Sequence, residues 1–148
     1  MGSEKVKAGY RLKVVIDTSV FISTTLFRGP TNRLLSLWQK GEICVLMSSD
    51  VLREYAKVLA YPKFKLTVEE IKAVIEQELL PFIKPVKIRR AVRVLVEDPA
   101  DDKFLALGHE GKADYILSGD KHLLDLKVFR SVRIVTPAEF FKLFAPIL

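Results

Sequence analysis

The chain has one cysteine, two histidines and one tryptophan among 148 residues, and each scarcity excludes something. A lone Cys44 cannot close an internal disulfide or build a thiolate-rich zinc site. It lies in the apolar run Ile43-Cys44-Val45-Leu46-Met47, so it reads as a small buried hydrophobe, with a reducing cytoplasm as the expected compartment. His109 and His122 lack the HExxH or paired-cysteine spacing of a zinc centre, which leaves them surface or supporting roles. No GxxxxGK[ST] loop is present to cradle nucleotide phosphates. No apolar run approaches the roughly 18 residues needed to span a bilayer, so no membrane association is expected. Residues 1–11 lack the apolar core of a signal peptide and read as a flexible basic lead-in to a single domain over residues 12–148.

What the chain does have is apolar residues and positive charge. Hydrophobic residues make up 49%, enough for one substantial core. Lys and Arg number 24 against 18 Asp and Glu, a net charge of +6. That balance suits a polyanionic substrate, although a Lys/Glu-rich solubilising surface gives the same sum. Strand and helix patterns alternate, which argues for a parallel sheet covered on both faces. The strands are expected over residues 12–16, 43–47, 115–117 and 132–135. Helices are expected over 20–26, from Pro30 to a stop at Gly41, over 50–60 with Ser48 or Ser49 as cap, and over 137–144. A Thr67-Val68-Glu69-Glu70 capping box opens another that runs to near Pro81. Asp98-Pro99 starts one that reaches Glu110. Residues 85–96 are expected to hold a short strand and a helical turn.

The chemistry lies in acids placed where strands end or helices begin. Asp17 follows the first strand, and Asp120 follows Tyr115-Ile116-Leu117-Ser118-Gly119. In an open parallel sheet, ligands bind beyond the carboxyl ends of the strands, so acids remote in sequence can meet there. Clustered carboxylates repel unless protons or cations neutralise them, and Mg²⁺ or Mn²⁺ suits oxygen ligands. On the third helix Val51, Leu52, Tyr55, Val58 and Leu59 form the apolar stripe. Glu54 falls at its edge and Arg53 and Lys57 fall opposite; the plain alternative is a solvated Glu54 paired with a lysine. Asp101 shares a face with Phe104, Leu105 and Gly108, whereas Asp102 sits about 100° round from it. The facing favours Asp101, and the choice between the two stays open. Asp114 reads as a turn or cap residue at the opposite end of the sheet, and Asp125 as a local cap.

Assembled in order, these pieces resemble the PIN-domain family of metal-dependent ribonucleases. The resemblance is carried by Val15-Ile16-Asp17-Thr18-Ser19, Ser48-Ser49-Asp50-Val51-Leu52-Arg53-Glu54, Asp98-Pro99-Ala100-Asp101-Asp102-Lys103-Phe104, Ala113 to Leu124 and Thr136-Pro137. It is strongest to the stand-alone prokaryotic branch of toxins from toxin–antitoxin pairs. It implies a three-layer α/β/α sandwich around a Rossmann-like parallel sheet. Asp17, Glu54, Asp101 and Asp120 would be the catalytic acids, with Asp102 a further metal ligand and Thr18 and Ser118 as supporting hydroxyls. One or two Mg²⁺ or Mn²⁺ ions, single-stranded RNA as substrate, an antitoxin partner and a homodimer follow from the same resemblance. Ser19 stands where Asn is frequent, Ser118 where Thr is frequent and Gly108 where Ala is usual; none of these removes a carboxylate. Arg28, Lys84, Lys87, Arg89, Arg90, Arg93, Lys121 and Arg130 are candidates for flanking the RNA. Two rivals stand beside this reading. One is a PIN-like module that binds RNA or a partner without cutting. The other is a Mg²⁺-dependent aspartyl-phosphate phosphatase, which would need an Asp where Ser19 stands.

Overall fold

The computed structural model describes residues 11–27, 32–90 and 99–144. The basic lead-in up to residue 10, the break at Gly29-Pro30, the helix start at Asp98 and the basic candidates Arg28 and Arg93 lie outside the described residues.

The chain folds around a six-stranded sheet. β1 (Leu12–Ile16) and β2 (Ile43–Met47) are runs of mostly β-branched and aliphatic residues. Successive side chains on a strand point to opposite faces. Val14, Val15 and Ile16 are nonetheless all buried, as is every residue of β2. Both faces of the sheet centre are therefore covered, giving the three-layer α/β arrangement expected of a parallel sheet. β3 (Ile83–Pro85), β4 (Tyr115–Leu117), β5 (Val128–Phe129) and β6 (Val132–Val135) complete the order β3-β2-β1-β4-β6-β5. All neighbours are parallel except the edge pair β5–β6.

That order sets the position of the site. From β1 the chain steps outward through β2 to β3, then returns to place β4 on β1's other side. The reversal between β1 and β4 is the topological switch at which open α/β sheets leave a crevice. Register pairs Ile16 with Leu117, so the residues after both strands emerge level. The Asp17 amide donates to the Leu117 carbonyl at 3.0 Å, and the Ser118 amide to the Val135 carbonyl at 3.0 Å. The ends of three adjacent strands are thereby locked together.

The helices are α1 (Thr18–Thr25), α2 (Asn32–Gln39), α3 (Ser49–Leu59), α4 (Val68–Ala73), α5 (Asp102–Glu110), α6 (Lys121–Leu124) and α7 (Pro137–Phe144). Ser48 caps α3 by accepting from the Val51 amide, and Gly41 ends the α2 turn at φ +73°, a conformation glycine adopts without strain. The Thr67 capping box forms in both directions, at 3.0 and 2.8 Å.

Three expectations are corrected. The single helix anticipated up to Pro81 is α4 followed by a π-helical stretch (Val74–Leu79) and a 3₁₀ turn (Leu80–Phe82); Pro81 has no N–H to extend an α-helical ladder. Of the stretch 85–96, residues 91–96 lie outside the described residues; in the described part the strand comes earlier, at Ile83–Pro85, paired parallel to β2, and no helical turn follows over residues 86–90. The segment from Pro99 begins as a 3₁₀ turn (Pro99–Asp101), and Asp101 itself is the N-cap position of α5. The short α6 and β5 were too brief to leave a periodic signal.

Candidate functional site

Asp17 begins α1 as its N-cap. Its side chain turns back on the helix, with Oδ1 accepting from the Val20 amide at 2.9 Å and the Ser19 hydroxyl at 3.1 Å. Its Oδ2 accepts from the Ser118 hydroxyl. Ser118 Oγ in turn accepts from the Asp120 amide at 2.9 Å, so one buried hydroxyl bridges the ends of β1 and β4. Asp17 is only 3% exposed. Burial pushes its carboxyl above the ordinary 3.8, and the hydrogen bonds from Ser118, Val20, Ser19 and the Gly119 amide pull only part of the way back. A carboxyl so desolvated and so rigidly aimed takes on negative charge most readily beside a cation.

Asp120 caps α6 by accepting from the His122 amide at 2.8 Å. Its carboxyl also hydrogen-bonds that of Asp101, and this bond, aided by His122, holds Asp120 below the ordinary 3.8 despite partial desolvation. Asp101 and Asp120, 19 positions apart in the chain by the numbering of the sequence, therefore meet.

Asp17, Asp101 and Asp120 line one cavity of about 540 Å³ together with Thr18 and Ser19. Ile22 and Val58 form its apolar floor, and Phe27, Phe64 and Lys63 its outer wall. Glu54 does not line this cavity. Its Oε2 accepts from the Thr18 hydroxyl at 3.2 Å, and its Oε1 pairs with Lys103 Nζ at 2.8 Å. Glu54 thus has the lysine partner of the plain alternative, but in a half-buried setting beside the cavity. Asp102 is buried to 7% exposure as the first residue of α5 and is not among the cavity's lining residues. Among the described residues, no three His, Cys, Asp or Glu side chains are arranged to hold a metal ion as they stand. Glu54 is engaged by Lys103, and Asp101 and Asp120 by each other.

The donor set nevertheless fits a hard divalent cation. Every candidate ligand is a carboxylate oxygen, and carboxylates brought this close repel one another when ionised, which a cation relieves. Asp17 is disfavoured as an anion without one.

Other expected positions fall as follows. Asp114 accepts from the Lys13 amide at 2.8 Å, at the opposite end of β1 from Asp17, and Asp125 is the C-cap of α6. His109 lies edge-on to the Phe129 ring. Lys84, Lys87, Arg89, Arg90, Lys121 and Arg130 are all exposed, and none lines the cavity.

Three residues escaped the sequence reading. Lys63 and Lys103 carry no signal of a role in the sequence. Tyr55 belongs to the apolar stripe, yet its hydroxyl donates to the Ile16 carbonyl, just before Asp17, and its ring stacks on Phe21 at 3.9 Å and 3°. A tyrosine on a buried stripe needs a partner for its hydroxyl, which was the available signal. Burial, then the charges of Asp17 and Glu54, push its hydroxyl well above the ordinary 10.0, so it stays a donor.

Residues 13–122 match a PIN domain. The chain is 28% identical to an uncharacterized protein of Methanocaldococcus jannaschii, MJ1680, over 95% of this chain and 94% of that protein. Among the described residues no helix is long and apolar enough to cross a membrane. A parallel α/β sheet with carboxylates gathered at its switch point, and a PIN-domain match over most of the sequence, lead to one conclusion: the chain belongs to the PIN-domain family.

Proposed function

We propose that this protein is a Mg²⁺- or Mn²⁺-dependent ribonuclease that hydrolyses phosphodiester bonds of single-stranded RNA. The observation that carries the reading is the shared cavity of Asp17, Asp101 and Asp120 at the β1/β4 switch. PIN domains are generally nucleases that use divalent metals, and the match over residues 13–122 supports the same chemistry here.

Asp17, Asp101 and Asp120 would hold one or two cations. Glu54 would join them or act as the base that orients the attacking water, and buried Asp102 would support the set from α5. A cation bound there supplies a water of lowered pKa and neutralises charge on the phosphodiester. The protein's own part is orientation. Ser118 and Ser19 fix both Asp17 oxygens, and Ser118 ties Asp120 to the same frame. Thr18 anchors Glu54 beside the cavity while Lys103 balances its charge.

The decisive experiment incubates the protein with a mixed single-stranded RNA pool over a Mg²⁺ and Mn²⁺ titration. Cleavage that requires metal and is lost in Asp17→Asn supports the reading; cleavage that persists in excess EDTA removes it. A second reading draws on Lys103 holding Glu54 and on the absence of a ready-formed ligand trio among the described acids: a module that binds RNA without cutting it. Tight binding with no turnover in either metal would establish it. A toxin role, with an antitoxin partner and a homodimeric state, rests on family resemblance. Its test is growth arrest on expression that Asp17→Asn relieves.

A further inference from the structure

The acids do not account for the outer wall of the cavity. α1 carries the chain away from Asp17 for eight residues, about 12 Å at 1.5 Å per residue, and Phe27 follows just past its end. The Phe27 ring is 56% exposed, although it lines the same cavity as the carboxylates. Phe64, on the turn after α3, lies 6.1 Å from it at a 58° tilt. At that tilt the two rings brace each other without stacking. Lys63 Nζ sits 5.2 Å over the Phe64 ring, which puts a cation beside the exposed Phe27. An exposed aromatic ring, a cation beside it and a continuous wall leading to the acids match what a single strand presents: a base, then a phosphate.

We propose that Phe27 is a stacking platform for an unpaired nucleobase of the RNA, with Phe64 as its buttress and Lys63 as the contact for the adjoining phosphate. Phe27 follows the far end of α1 from Asp17, so the platform suits a neighbour of the nucleotide being cut. A protein segment docking in the same groove would use the apolar wall, but it gives no reason for a cation held over one ring. The cavity's 540 Å³ falls within the ~300–1,000 Å³ typical of small-ligand pockets, which suits a nucleotide and not a duplex. The proposal deepens the ribonuclease reading and rests on it for the run of the strand, but it can be tested without cleavage.

The test is fluorescence anisotropy in EDTA, with a labelled single-stranded RNA and the same strand carrying abasic sites. Phe27→Ala should bind the normal strand roughly five- to a hundredfold more weakly, the range expected for one lost base–aromatic stack. Phe27→Trp should bind at least as tightly as the unaltered protein. The abasic strand should weaken the unaltered protein by a similar factor and leave Phe27→Ala little changed. Lys63→Ala should lower the salt dependence by about one phosphate contact. Because Phe27 is exposed, an unchanged thermal midpoint confirms that the variant folds. Unaltered affinity in Phe27→Ala, equal losses on the abasic strand with and without Phe27, or no binding by the unaltered protein would each overturn the platform. If Phe27→Ala affinity is unaltered while metal-dependent cleavage is present, only the platform is removed. If the stacking pattern appears with no cleavage in any metal, only the nuclease is removed.

Discussion

Replacing Tyr55 with Phe removes one oxygen from a fully buried position and leaves the ring in place. The stack on Phe21 persists and no cavity opens, so the effect isolates the hydrogen bond to the Ile16 carbonyl. That carbonyl ends β1 and would face the loss without water, at a cost of about 1–3 kcal/mol for an unsatisfied buried acceptor. Part is recovered because a buried hydroxyl no longer needs desolvation, which leaves about 1–2 kcal/mol. With a urea slope of about 2 kcal/mol per molar, the midpoint should fall by about 0.5–1 M at constant slope. The pH profile supplies a second signature. The folded-state pKa of Tyr55 is raised, so its contribution is complete below 10.0 and is lost as pH climbs from there toward the folded value. Tyr55→Phe should therefore flatten the alkaline decline of stability. A midpoint within about 0.1 M of the unaltered protein, on the slope scale just used, would refute the claim that Tyr55 pins the end of β1.

Asp17→Asn should be at least as stable as the unaltered protein at neutral pH without metal. Burial raises the Asp17 pKa, so its ionisation costs stability as pH rises from 3.8 through the folded value, and Asn caps helices about as well as Asp. Thermal melts at neutral and acidic pH should show the variant's advantage shrinking on acidification; a variant markedly less stable at neutral pH would contradict this. Lys103→Met should shift the Mg²⁺ dependence of cleavage to lower concentration by releasing Glu54. Its stability should change by less than about 1 kcal/mol, since the ion pair is partly exposed, and a raised metal requirement would count against the assignment. Thr67→Ala removes a capping box whose bonds measure 2.8 and 3.0 Å; urea unfolding should report a loss of about 1 kcal/mol.

Where the chain's local chemistry agrees with its tertiary setting, the fold could be read directly from sequence. β1, β2, β4, β6 and α7 stand at the expected residues, because buried parallel strands are short apolar runs and Pro137 opens a helix with a fixed φ. The Thr67 cap and the Gly41 stop were equally legible, since each depends on atoms within a few residues. What sequence could not supply was long-range partnership. β3's early start depends on its pairing with β2. At the site, the position of Asp17 and Asp120 followed from strand ends. The Asp101–Asp120 bond, the Lys103–Glu54 pair and the aromatic wall of Phe27 and Phe64 join residues that no periodicity links. Asp101 reaches the cavity from a 3₁₀ turn that a regular helical wheel does not describe.

The most direct test of the whole account is a cation-binding measurement on the unaltered protein and on Asp17→Asn, followed by RNA cleavage under the same conditions. Mg²⁺ or Mn²⁺ should raise the thermal midpoint of the unaltered protein and switch on cleavage over the same concentration range, with both effects lost in Asp17→Asn. If neither metal stabilises the unaltered protein, or if Asp17→Asn cuts RNA as well as its parent, the cavity of Asp17, Asp101 and Asp120 is not a catalytic metal centre.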